Sequence, residues 1–163
     1  MVALTLAALV GGCDEGVMRP VVSNVALQPM DFFTGRTHGD GELRKLFSQQ
    51  VKVAVDSFGR QEGDTLILDQ VIHEGGSSPS VRRWTMRPIG PDLYSGTLTD
   101  ARGEVRVKVS GPRAEIRYTT KAGFRIDQEL ILQSDGRTIL NRLRAHRLGI
   151  RVATLNETIR KVD

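Results

Sequence analysis

The chain has 163 residues, 39% of them apolar and only 5% aromatic, with a formal net charge of +4 and a single cysteine. One cysteine excludes a disulfide framework, so stability must come from one core and a hydrogen-bond ladder, and the length suits one domain. The arginines are spread along the chain rather than gathered in one run. A basic face beside anionic lipid headgroups explains that spread better than a nucleic-acid surface, and no nucleic-acid partner is expected.

The first feature is an apolar run over 2–12, ended by Cys13 and followed at once by Asp14 and Glu15. It has the length of the hydrophobic part of a secretion signal and is too short to cross a bilayer, which takes ~20 residues. Two small residues directly before a cysteine suit the narrow site of a bacterial lipoprotein signal peptidase. The stretch Leu9-Val10-Gly11-Gly12-Cys13 thus resembles a lipobox. The expected organisation is a signal peptide over 1–12, a lipidated Cys13 with its tether over 13–30, and one folded domain over 31–163. No Lys or Arg stands ahead of the apolar run, and the competing reading is a first strand or helix with a buried free cysteine. Acylation would anchor the protein in the cell envelope, facing the periplasm. Asp14 beside the cysteine is the residue that holds lipoproteins in the inner membrane of enteric bacteria; inner and outer membrane both remain open.

From 14 to about 30 there is no period, and Pro20 and Pro29 mark a tether or a strap. A short segment with Phe32 and Phe33 follows. Beyond it, apolar and polar residues alternate through 51–55, 65–69, 81–86, 104–109, 114–118, 126–132, 138–143 and 150–155, and another strand carries Tyr94 and Gly96. Period two gives each strand one wet and one dry face. Gly, Asn and Asp punctuate the intervals at hairpin spacing. A helical period longer than two turns is conceivable only near 43–50, and Gly39-Asp40-Gly41 reads as a turn. Eight to ten strands joined by short hairpins form an all-β antiparallel meander, which removes its edges by closing into an up-and-down β-barrel.

An ordered set of short motifs runs through the chain. It comprises Phe32-Phe33-x-Gly35, Gly39 and Gly41, the run from Gly63 to Asp69, Arg83-Trp84, Tyr94-x-Gly96, Asp100-x-x-Gly103, Asn141-Arg142, Leu148-Gly149 and the closing run from Ala153 to Ile159. From about residue 30 onward this resembles the bacterial "domain of unknown function 3833" lipoproteins. The resemblance implies a lipocalin-like barrel and a lipobox, and no established activity. The likeness to lipocalins is one of architecture, because the only tryptophan, Trp84, lies mid-chain rather than at the first strand.

The histidines His38, His73 and His146 have no partner at metal-ligand spacing, and neither a metal nor a cofactor is expected. No nucleophile elbow, phosphate loop or dinucleotide fingerprint is present. Asp69 and Asp100 are candidate acids, either facing Arg83 or Arg142 inside the barrel or serving as a surface pair and a turn cap. Faces shared by Leu66, Leu68 and Gln70, by Trp84 and Met86, by Tyr94 and Leu98, by Ile116 and Tyr118, and by Gln128, Leu130 and Leu132 would line the interior. Trp84, Tyr94, Tyr118, Gln70 and Gln128 are then the candidate ligand contacts, with apolar walls for affinity and polar tips for orientation. The alternative is a filled core in which those tips bond one another. Arg142, Arg144, His146, Arg147 and Arg151 surround the hairpin at Leu148-Gly149, as a solvated face or a contact for headgroups or an acidic partner. The expected function is a monomeric, membrane-anchored, non-enzymatic lipoprotein binding a small hydrophobic or amphipathic, lipid-like molecule. A filled-barrel envelope scaffold is the alternative, and an isomerase- or cyclase-type enzyme is the third.

Overall fold

The structure, a computed structural model, describes residues 21–162. Cys13 and the apolar run before it lie outside the described residues. A short helix α1 (Pro29–Phe33) precedes β1 (Gly35–Lys45), β2 (Val51–Glu62), β3 (Thr65–Glu74), β4 (Ser80–Gly90), β5 (Leu93–Leu98), β6 (Val105–Ser110), β7 (Arg113–Thr119), β8 (Arg125–Leu132), β9 (Thr138–Arg147) and β10 (Ile150–Val162). Each strand pairs antiparallel with its neighbours in sequence, and β1 also pairs with β10, so the sheet closes into a barrel. The expected meander is therefore present, with ten strands and no free edge.

Alternation puts the core inside. On β6 and β7, Val105, Val107, Val109, Ala114, Ile116 and Tyr118 are buried, while Arg106, Lys108, Arg113, Glu115 and Arg117 face water. Between these strands Gly111 takes a φ of +54°, a conformation that costs glycine little.

The two ends of the barrel differ. At one end lie the start of β1, the end of β10 and the hairpins after β2, β4, β6 and β8. The N-terminal segment crosses this end as a strap: the Ser23 N–H donates to the Leu132 carbonyl (3.0 Å), and the Leu27 N–H donates to the Gly111 carbonyl (2.9 Å). Leu27 is 1% exposed, so the strap contributes to the core. Helix α1 then plugs the barrel. Pro29 suits its first turn, Phe32 and Phe33 turn inward, and their rings meet edge to face at 5.0 Å. Near its C-terminus, carbonyls without intrahelical partners accept from the Lys161 ammonium, at 2.9 Å for Asp31, 3.1 Å for Phe32 and 3.3 Å for Thr34. The opposite end, with the hairpins after β1, β3, β5, β7 and β9, has no such plug among the described residues.

Two local expectations are corrected. Gly39-Asp40-Gly41 is the middle of β1 rather than a turn, and 43–50 is the end of β1 followed by a hairpin rather than a helix. Glycines there break the alternation by which a strand is recognised. Their physical reason lies on β10: a Cβ at Gly39 would stand 2.0 Å from Glu157 Oε1, and one at Gly41 would stand 2.6 Å from the Asn156 carbonyl oxygen. The missing side chains make room for an inward glutamate.

Candidate functional site

Two chains of polar side chains face the interior. The first runs across β2, β3 and β4, where the pairings Ser57 with Gln70 and Gln70 with Arg82 bring three inward positions side by side. The Gln70 amide is its hub. It donates to Ser57 Oγ (3.0 Å) and accepts from Arg82 Nε (2.9 Å) and from the Trp84 indole N–H (2.8 Å). Arg82 lies two residues before Trp84 on the same face, its guanidinium 5.9 Å from the indole centroid. Among the described residues no carboxylate approaches Arg82 within salt-bridge distance; its close contacts are an amide and a ring, and the Glu157 carboxyl on the same cavity feels its charge.

The second chain spans β8, β9 and β10. Gln128 Nε2 donates to Asn141 Oδ1 (3.0 Å), and Asn141 Nδ2 donates to Glu157 Oε2 (2.7 Å). Glu157 is 8% exposed. Burial pushes its carboxyl up from the ordinary range, while the Asn141 hydrogen bond and the Arg82 charge pull the other way. The remaining amide oxygen of Gln128 is buried without a partner, as is the Thr37 hydroxyl.

Both chains reach one cavity of about 60 Å³, to which Gln70, Arg82, Trp84, Gln128, Asn141 and Glu157 contribute its polar atoms. Val107, Ile116 and Leu130 are among its apolar walls, and Pro29 and Phe33 close it on the plugged side. That volume holds roughly two water molecules and no acyl chain. The interior thus lies between the roomy pocket and the solid core set out above. Chemically it offers a cation without a salt-bridge partner and, across the cavity, an acid that burial makes harder to ionise than an exposed one.

Three of the expected contact residues, Gln70, Trp84 and Gln128, line the cavity. Tyr118 is buried behind it, edge to face with Trp84 at 5.9 Å, and Tyr94 is buried in the β5 wall off the cavity. Burial pushes both phenols up, Tyr118 to about 12. Asp69 and Asp100 are not interior acids. Asp69 stands on the outer face, 39% exposed, with Arg83 Nη2 at 2.9 Å and Arg60 Nη1 at 3.1 Å; the Arg83 hydrogen bond is the main force holding its carboxyl below the usual range. Asp100 is exposed at the β5–β6 hairpin. The acid inside is Glu157, which sequence reading missed together with Arg82 and Asn141. A partial signal existed: Glu157 shares its parity with Leu155 and Ile159, although Ile150 and Val152 have the other, because the register of β10 shifts between Arg151 and Ala153. Arg142 and Arg144 face outward; among the described residues no three His, Cys, Asp or Glu groups are placed to hold a metal ion.

The closed, antiparallel ten-stranded barrel has the up-and-down architecture of lipocalin-like folds. The chain belongs to the family described as "Protein of unknown function (DUF3833)", which matches residues 7–161. Among solved structures it is similar to Rv2717c from M. tuberculosis, with a TM-score of 0.64 and 13% identity over 84% of this chain and 99% of that one. It is also similar to the S-type phycobiliprotein lyase CPES from Guillardia theta, with a TM-score of 0.63 and 4% identity over 82% of this chain and 90% of that one. At such identities the likeness is one of fold. No curated protein matches the chain.

Proposed function

We propose that this chain is an envelope lipoprotein, anchored through Cys13, that binds a small amphipathic molecule rather than transforming one and holds its anionic end at Arg82 inside the barrel. The observation that carries this reading is Arg82 itself. Arg82 is a half-buried cation whose hydrogen-bond partner is an amide rather than a carboxylate, and a ligand carboxylate or phosphate would give it a charged partner at hydrogen-bond distance. Gln70 and Trp84 fix the guanidinium in place, and Asn141 and Glu157 add an amide and a carboxyl across the cavity.

The size of the cavity narrows the ligand. Only a headgroup-sized portion fits within it, and an apolar tail would run toward the open end, where half-buried Leu43, Ile72, Leu143 and Leu155 turn inward from the rim. A filled-barrel scaffold is the second reading, favoured by the same small volume.

The test uses full-length protein extracted from membranes in a non-ionic detergent. Native mass spectrometry and solvent extraction are expected to find a bound amphiphile, and a fluorescent fatty acid should bind and be displaced by it. Arg82→Met should weaken the probe at least tenfold, and Arg82→Lys should restore part of that loss. If nothing co-purifies and no probe binds, the carrier reading falls and the scaffold stands. Metabolic labelling with a fatty acid checks the anchor, since Cys13→Ser should abolish the label.

A further inference from the structure

Two hairpin tips at the open end are built against the ordinary interests of folding. The hairpins after β1 and β9 are neighbours there, because β1 pairs with β10 as far as Lys45 and Ala153, and the Leu46 N–H then donates to the Val152 carbonyl (2.8 Å). Phe47 at the first tip is 98% exposed and Leu148 at the second is 95% exposed, with Ile150 at 61% and Leu46 at 48% beside them. Phe47 has a φ of +61° and Leu148 a φ of +50°. A bulky side chain is strained in that left-handed conformation, which glycine or asparagine adopts readily. Elsewhere the described positive-φ positions are glycines, apart from Asp92. Folding therefore gains neither burial nor backbone ease from Phe47 and Leu148.

Immediately behind the tips, the outer face of β9, β10 and β1 forms a groove lined by Arg44, Lys45, Arg142, Arg144 and Arg151, and no carboxylate lines it. Arg44 and Arg142 bond to the amide oxygens of Gln50 and Asn156 rather than to acids, and Lys45 pairs with Glu74. Arg147 stays at the same end, its guanidinium 5.2 Å from the Phe124 ring. Glu42, on the same outer face of β1, stands outside the groove.

We infer that this end is a docking surface for an anionic lipid bilayer: Phe47, Leu148 and Ile150 enter the headgroup region, and the arginine groove meets the phosphates. The order of chemistry, apolar side chains foremost and cations just behind, matches the order of a bilayer surface approached from water. The tips project from separate hairpins, a form that a fluid interface accepts without a matching socket. This contact depends neither on the interior site nor on Cys13.

The test places a Leu148→Trp reporter in the full chain on a Cys13→Ser background, with buried Trp84 as a constant signal. Vesicles of phosphatidylcholine with phosphatidylglycerol should shift the new emission to the blue, and brominated lipid should quench it. Vesicles of phosphatidylcholine alone should do neither, and added salt should reverse the effect. With the reporter left out, Phe47→Asn combined with Leu148→Asn should weaken vesicle binding at least tenfold while leaving Tm unchanged or raised, because asparagine relieves the backbone. Arg144→Glu with Arg151→Glu should weaken binding and flatten its salt dependence. An emission that anionic vesicles leave unshifted and unquenched overturns the inference, as does undiminished vesicle binding by the asparagine variant. Retention on an acidic polypeptide without any vesicle response also overturns it, assigning the end to a protein partner.

Discussion

Strands β6 and β7 and strands β9 and β10 line the same barrel, yet only the second pair breaks its apolar inward row, between Ile139, Ala145 and Ile159, with an amide and an acid. On the first pair the inward residues are apolar but for a tyrosine tip: Val105, Val107, Val109, Ala114, Ile116 and Tyr118 are each under 9% exposed. On the second, Asn141 at 5% and Glu157 at 8% take equivalent places. Burial of the first group drives folding, at about 1.5–3 kcal/mol for a large side chain. Burial of the second costs free energy unless each polar atom finds a partner. The lesson is that burial alone does not identify a core residue. Ile139 and Ile159 help hold the barrel together, and Asn141 and Glu157 between them are carried by it.

The comparison breaks most sharply at Gly39, the position that admits the glutamate. Gly39→Ala is expected to destabilise by roughly 3 kcal/mol, since the new methyl must expel a buried side chain and leave Asn141 without its acceptor. Combining it with Glu157→Ala should recover part of that loss, and the coupling in a double-variant cycle by urea unfolding measures how much of the cost is the clash. Simple additivity would show that the glycine serves something other than Glu157.

A smaller effect tests the apolar half. Ile116→Ala should cost about 2–3 kcal/mol by the same unfolding measurement, near the lower end for a large-to-small core change, because the existing cavity beside it lets neighbours relax. Its pH dependence should match that of the parent protein.

The gentlest probe is pH. Because the carboxyl of Glu157 is raised above its ordinary 4.5, the native state holds this proton more firmly than the unfolded chain does. Its contribution to stability is therefore full below about pH 4.5, falls as pH rises through the native value, and is level above it. Glu157→Gln should remove that fall, so the variant gains on the parent across this window in urea midpoints measured against pH. A parent curve that rises through the window instead would mean that Glu157 is stabilised as a carboxylate, with Arg82 the dominant influence.

Much of the barrel was legible because alternation is a local signal. Strands such as β3, with Thr65 to Asp69, and β7, with Ala114 to Tyr118, declare their faces residue by residue. β1 did not, since Gly39 and Gly41 answer to residues nearly 120 positions away on β10. The same distance hid the site. Gln70, Trp84 and Gln128 were found as polar tips on apolar faces, whereas Arg82 and Glu157 read as ordinary surface charges until the register turned them inward. At Asp69 the sequence left an interior acid and a surface pair open, and the register decides for the pair, with Arg60 and Arg83 on the outer face.

The lysine that clamps α1 has a consequence in time. Lys161 and Asp31 are 130 residues apart, and the β1–β10 seam beside them joins the first described strand to the last. Neither the seam nor the clamp can form until β10 is in place, so closing the ring needs the pairing most distant in the sequence, the kind of contact that slows folding. Until then β1 waits with one side unpaired, and its glycines and charges, a poor template for stray strands, guard the chain against aggregation.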